Sequence, residues 1–155
     1  MSNVFMARAI ELSLESVHSG CGGPFGAVIV RNGEVLAEGM NQVTSRNDPT
    51  AHAEVLAIRE ACAKLGLFEL TDCELYSSCE PCPMCLGAIY WARLARVYYA
   101  NTAADAAKIG FDDSFIYAEL QLPHAERRIP AIPMMREEAL AAFRAWAEKP
   151  NKIPY

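Results

Sequence analysis

From residue 3 to 18 the apolar positions keep a helical beat: Met6, Ile10, Leu14 and Val17 recur at helical intervals, with Arg8, Glu11 and Glu15 on the opposite side. This spacing predicts an amphipathic helix whose apolar stripe faces a core. A glycine-rich stretch over 20–26 breaks it. Ala27-Val28-Ile29-Val30 and Val35-Leu36-Ala37 then flank Asn32-Gly33, which predicts a β-hairpin because the favoured turn needs positive φ at both central residues. Asp48-Pro49 predicts the start of a second helix, a capping side chain followed by proline at the first helical position. Val55, Ile58, Cys62 and Leu65 would form its core stripe, and Gly66 its stop. Residues 74–77 read as a strand, 82–93 as a helix and 97–99 as another strand. Beyond Asn101 the pattern loosens into short helices over 103–109 and 114–120. Pro130 and Pro133 leave room for an edge strand at best, since proline lacks the N–H a ladder needs. Ala139, Leu140, Phe143 and Trp146 mark a last helix, ended by Pro150.

This alternation predicts helices packed on a mixed sheet with some parallel pairs. With no repeats or linkers, residues 1–155 read as one domain. A composition of 52% hydrophobic and 21% charged residues suits a soluble globular protein. Lys and Arg number 14 against 19 Asp and Glu, a net charge of −5. Proteins that grip a phosphate backbone need a cationic face, so this balance points away from nucleic acid and toward a small uncharged substrate. Glu11 and Glu15 interrupt the N-terminal apolar pattern, so no secretory segment is expected, and Arg93 and Arg96 interrupt the most apolar stretch, so no membrane span is expected. Six cysteines without a leader read as metal ligands and free thiols rather than disulfides, which makes the cytoplasm the expected location.

The chemistry concentrates in His52-Ala53-Glu54 and Pro81-Cys82-Pro83-Met84-Cys85. One imidazole and two thiolates are the three ligands of a catalytic zinc whose fourth position is left to water. Cys82 and Cys85 share one face of a predicted first helical turn, where the dipole and unpaired amides favour thiolates. Glu54, off the face of His52, is placed to act as proton shuttle for a zinc-bound hydroxide rather than as a ligand. His-x-Glu with Pro-Cys-x-x-Cys is the signature of zinc-dependent nucleobase deaminases. A rival from another class is a non-catalytic zinc-binding module, in which Glu54 would not matter. Cys62 reads as core and Cys73 as strand interior. Cys79 lies outside the Cys-x-x-Cys frame, and His18 and His124 read as solvated surface.

Residues 22–26 (GGPFG), 47–54 (NDPTAHAE) and 78–91 (SCEPCPMCLGAIYW) resemble the zinc-dependent deaminase superfamily at large, including tRNA adenosine deaminases. Residues 110–117 (GFDDSFIY), with a terminal tyrosine, resemble more specifically the bacterial guanine deaminases of the cytidine deaminase fold. The resemblance runs nearly end to end and is weakest over 122–152. It implies a three-layer α/β/α fold around a five-stranded mixed sheet, one Zn2+ per chain held by His52, Cys82 and Cys85, and hydrolysis of guanine to xanthine and ammonia. It also implies a homodimer with an exchanged C-terminal segment, in which Tyr155 completes the partner's pocket. By position, Asn41 would hydrogen-bond the purine, Phe25 and Trp91 would bound the ring, and Ala53 and Phe111 would line the same pocket. Asp113 would assist Glu54 as a second proton shuttle. Each of these has a plainer role open to it: Asp113 as a helix cap, Asn41 as a turn residue, Phe25 and Trp91 as core aromatics, Tyr155 as a frayed end. Within the superfamily, a tRNA adenosine deaminase would need a basic groove. The last helix instead sets Glu137, Glu138 and Glu148 against Arg136, Arg144 and Lys149. A cytosine deaminase would need a pocket too small for a purine.

Overall fold

The structure, a computed structural model, describes residues 3–155. The chain forms two compact units, one ending at Asp113 and one from Ser114 to Tyr155. The first begins with α1 (Val4–His18), capped by Asn3, whose Oδ1 accepts from the amides of Phe5 and Met6. The buried face of α1 is Ala9, Leu12, Ser13 and Ser16, while Ile10, Leu14 and Val17 of the expected stripe are exposed. The cause is close approach: a Cβ added at Gly26 would stand 2.2 Å from the carbonyl oxygen of Ala9, so small side chains face the sheet.

The hairpin forms as expected from β1 (Gly26–Arg31) and β2 (Glu34–Met40), with Asn32 at φ 53° and Gly33 at φ 78° in the turn. β3 (Cys73–Cys79) pairs antiparallel with β1, and β4 (Arg96–Asn101) pairs parallel with β3. The order is β2-β1-β3-β4, a mixed sheet of four strands among the described residues rather than five. The stretch around Pro130 and Pro133 stays exposed and joins no ladder, as two missing N–H donors in four residues dictate.

The second long helix begins later than Asp48-Pro49 predicts. Asp48 Oδ1 instead accepts from the amide and hydroxyl of Thr50, at 2.8 and 2.7 Å, closing a local turn after the short α2 (Val43–Arg46). α3 (Ala53–Leu65) then starts with His52 at its N-cap and ends at Gly66, φ 64°. Its innermost line is Ala53, Ala57 and Ala61, flanked by the partly buried Ile58, Cys62 and Leu65. α4 (Pro83–Trp91) follows β3. α1 covers one face of the sheet over Val28, Val30 and Tyr76. α3 and α4 pack with Ala27, Ile29 and Leu75 on the other, which makes three layers, α/β/α. α5 (Ala103–Lys108) opens with a capping box between Thr102 and Asp105.

The second unit holds α6 (Ser114–Gln121), a single 3-10 turn over His124–Glu126, and α7 (Arg136–Glu148). Among its described residues no side chain is buried. No helix of the described residues is long and apolar enough to cross a membrane.

Candidate functional site

The core-facing starts of α3 and α4 carry the chemistry. His52 and Cys82 are the two N-caps, both with extended backbone (φ −72°, ψ 151° and φ −68°, ψ 168°), and neither side chain makes a capping hydrogen bond. Serine or aspartate there would fold back onto the first-turn amides. Here both side chains are turned toward each other. Cys82 Sγ lies 3.6 Å and Cys85 Sγ 3.4 Å from His52 Nδ1, and the three ligand atoms fall within 4.8 Å of one another.

Those separations fit zinc. Bond lengths of about 2.05 Å to nitrogen and 2.3 Å to sulfur at tetrahedral angles give an N···S edge of about 3.6 Å. The charge on the donor set agrees. The Cys82 thiol is held down to about 4, chiefly by the hydrogen bond from Cys85 and, against the effect of burial, by His52. Cys85 is pushed up by its bond to Cys82 and by burial, with the Glu54 charge adding to both. One thiolate forms through local contacts alone; two beside a buried carboxylate call for a cation. His52 is itself raised, first through its hydrogen bond with Cys82.

Glu54 stands beside this cage, buried in the first turn of α3, and burial raises its pKa. Its two oxygens face different ways: Oε1 accepts from Ser77 Oγ at 3.2 Å, and Oε2 meets Cys85 Sγ at 3.4 Å. Ala53, buried between His52 and Glu54, is the first residue of α3. Its amide therefore has no partner within the helix.

Asn41 is buried at the end of β2. Its Oδ1 accepts from the amides of Gly23 and Val43 at 3.2 and 3.1 Å, and its carbonyl accepts from Ser16 Oγ at 2.8 Å. Backbone amides only donate, so they fix the side-chain oxygen and leave the NH2 as the outward-acting end. A Cβ on Gly22 would come within 2.2 Å of that oxygen. The turn role and an available NH2 donor therefore coexist in one residue. Phe25 and Phe111 meet edge to face, ring centroids 5.0 Å apart at 88°. Asp113 is half-buried and its pKa is raised by burial and then by the charge of Cys82, which puts it within electrostatic reach of the cage. Trp91 is not brought to the cage: it ends α4, roughly 13 Å along the helix from Cys82, and is exposed. Tyr155 lies in the second unit and is exposed.

Two residues beyond those read from sequence shape the site. Ser77 holds Glu54, and its signal was a hydroxyl on the strand face shared with Leu75. At Gly39 an added Cβ would fall 2.2 Å from the carbonyl oxygen of Ala53, so glycine lets the first turn of α3 sit against β2. A second cavity of about 650 Å³ runs along β2, lined by Arg8, Glu38, Arg46, Arg59, Glu60 and Lys64; it shares Gly39 but is lined by none of His52, Glu54, Ser77, Cys82 and Cys85.

Residues 1–101 match the family described as the cytidine and deoxycytidylate deaminase zinc-binding region. The chain is 58% identical over 151 residues to a guanine deaminase of Bacillus subtilis (strain 168), across 97% of both chains. The X-ray structure of guanine deaminase from Bacillus subtilis superposes with a TM-score of 0.96 at 57% identity, covering 100% of this chain and 99% of that one. A tRNA-specific adenosine deaminase of Aquifex aeolicus is 47% identical over 77 residues, 50% of this chain and 51% of that protein.

Proposed function

Because the chain belongs to the cytidine and deoxycytidylate deaminase zinc-binding family, we propose that it hydrolyses guanine to xanthine and ammonia. The observation that carries this reading is the end-to-end likeness to the Bacillus subtilis guanine deaminase, which runs through the C-terminal third. Likeness to the Aquifex aeolicus tRNA deaminase spans half the chain, and a net charge of −5 gives no support for gripping RNA.

His52 Nδ1 and the sulfurs of Cys82 and Cys85 would hold one zinc. The chemistry it supplies when bound is Lewis acidity toward water, lowering the pKa from 15.7 to about 7. The chain's own residues handle the protons. Glu54 Oε2, on the side of Cys85, takes the proton of the attacking water and returns it to a ring nitrogen. Ammonia leaves only when the amino nitrogen takes a second proton, which comes from the hydroxyl newly added to the ring carbon as that C–N bond breaks and the C=O bond forms, and we assign this transfer to Asp113. The NH2 of Asn41 donates to an acceptor on the purine edge, and the Ala53 amide supplies a second donor. The edge-to-face pair of Phe25 and Phe111 walls the ring. We give Trp91, exposed at the end of α4, no role in this pocket of its own chain.

The assembly belongs to the same reading: a homodimer in which the C-terminal unit is exchanged and Tyr155 closes the partner's pocket. What supports it is that the second unit buries no side chain among its described residues and leaves Phe143 and Trp146 exposed. A chain segment rich in apolar side chains needs something to cover them. Residues 1–155 then act as one deaminase domain, working in the cytoplasm on a small purine. The test is to offer the zinc-loaded protein guanine, adenine and cytosine and assay ammonia. Release from guanine is expected; release from adenine or cytosine with guanine left intact would overturn the reading.

A further inference from the structure

We infer that Ser77 is a positioning residue for the deamination, acting through Glu54; this rests on the reading of Glu54 as proton carrier. β3 is an interior strand, and in it Ser77 stands opposite Ala27 of β1 and Tyr99 of β4. Successive side chains point to opposite faces, which groups Ser77 with Cys73, Leu75 and Cys79. Cys73 and Leu75 belong to the apolar cluster beneath α3 and α4. On the other face Ser78 accepts from the Gly26 amide at 3.0 Å, a bond to backbone and not to a side chain of the site.

Ser77 is different in where its bond goes. It is 2% exposed, and a hydroxyl so deep in an apolar layer is costly unless it is bonded. Its Oγ reaches across to another element and donates to Glu54 Oε1 at 3.2 Å. That bond divides the carboxylate. Oε1 is engaged from the sheet side, so Oε2 is the oxygen presented at Cys85, 3.4 Å away. The terminal torsion of glutamate is broad and has no sharp well of its own. Without the hydroxyl the carboxylate would turn, and the oxygen that must meet water and ring nitrogen would spend less time facing them. The bond leaves the purine contacts of Asn41, Phe25 and Phe111 untouched, so its loss should appear in kcat and not in KM.

The experiment compares Ser77→Ala, and the near-isosteric pair Ser77→Thr and Ser77→Val, each in the native and the Glu54→Gln background. Guanine kinetics, zinc content and Tm are measured for every variant. The expected result is a fall in kcat of about tenfold in Ser77→Ala, the size of one hydrogen bond to a charged group. KM and zinc per chain stay at native values, and Thr exceeds Val by a similar factor. These differences vanish in Glu54→Gln. If Ser77→Ala does not fold, Thr against Val decides, since both carry the same extra bulk and differ by the hydroxyl. Native kcat in Ser77→Ala, equal rates for Thr and Val, or a loss that persists in Glu54→Gln would overturn Ser77's role while leaving Glu54's intact. Native turnover in metallated Glu54→Gln would overturn both, and no result at Ser77 can imitate it.

Discussion

His52 and Cys82 occupy positions where most helices place a capping serine or aspartate, and each does something else with its side chain. The local geometry that favours an anion at a helix start is used here to set metal ligands. These ligands, and the carboxylate beside them, were legible in the sequence because type and spacing alone define them: an imidazole and two thiols three apart for the metal, and a carboxylate two beyond the histidine for the proton. Ser77 was not legible, since a strand serine has many uses and its partner Glu54 lies 23 residues away. In the proposed pocket Asn41 is a turn residue that would also serve as a selective donor: two amides hold its oxygen, which leaves its NH2 for the purine. Asn41→Asp keeps the oxygen those amides need and exchanges the NH2 for an acceptor. Its KM for guanine should rise by about tenfold or more, with a Tm near the native value. A native KM would remove Asn41 from the purine contacts.

At the scale of elements, the type of each helix and strand in the first unit, the short α2 apart, followed from periodicity and turn chemistry, while the buried faces did not. Periodicity marks large apolar side chains, and α1 docks through small ones because Gly26 lets its backbone approach β1. The start of α3 was misplaced for a related reason: Asp48 bonded Thr50 before it could cap a helix. Gly39 is the equivalent contact beneath the cage. In Gly39→Ala the added methyl would meet the Ala53 carbonyl, shifting the turn that carries His52 and Glu54. Zinc content and kcat should both fall, by more than the change in Tm suggests; metal content and rates at native values would show the turn can yield.

α1 is also tied to β2 by charge. Arg8 donates to both oxygens of Glu38, at 2.8 and 2.9 Å, which holds the Glu38 carboxyl below its ordinary 4.5. A depressed carboxylate pKa contributes stability at pH values above the unfolded one and loses it as pH falls through the folded one. The gap in Tm between the native protein and Glu38→Gln should therefore be present at pH 7 and close below about pH 4.5. A gap that stays constant with pH would mean Glu38 acts through packing.

On the scale of the whole molecule, the two units differ in kind. The first has a continuous core on both faces of its sheet. The second has helices where periodicity predicts them and no buried side chain among its described residues. Periodicity names a helix face and not the surface that covers it. It left room for a fifth strand near Pro130 and Pro133, where the chain forms none. In the exchanged dimer we propose, Tyr155 would serve substrate binding and not the fold of its own chain. Removing it should raise KM for guanine several-fold with the Tm unchanged, and unaltered kinetics would set the exchanged tail aside.

Conversion of guanine to xanthine by the native protein and by Glu54→Ala, each carrying one zinc per chain, tests the proposed chemistry most directly. The native protein should form xanthine and ammonia in equal amounts, and the variant should keep its metal while turnover falls by about 10²–10⁴-fold. Near-native turnover in the metallated variant, or guanine left intact by the native protein, would contradict it.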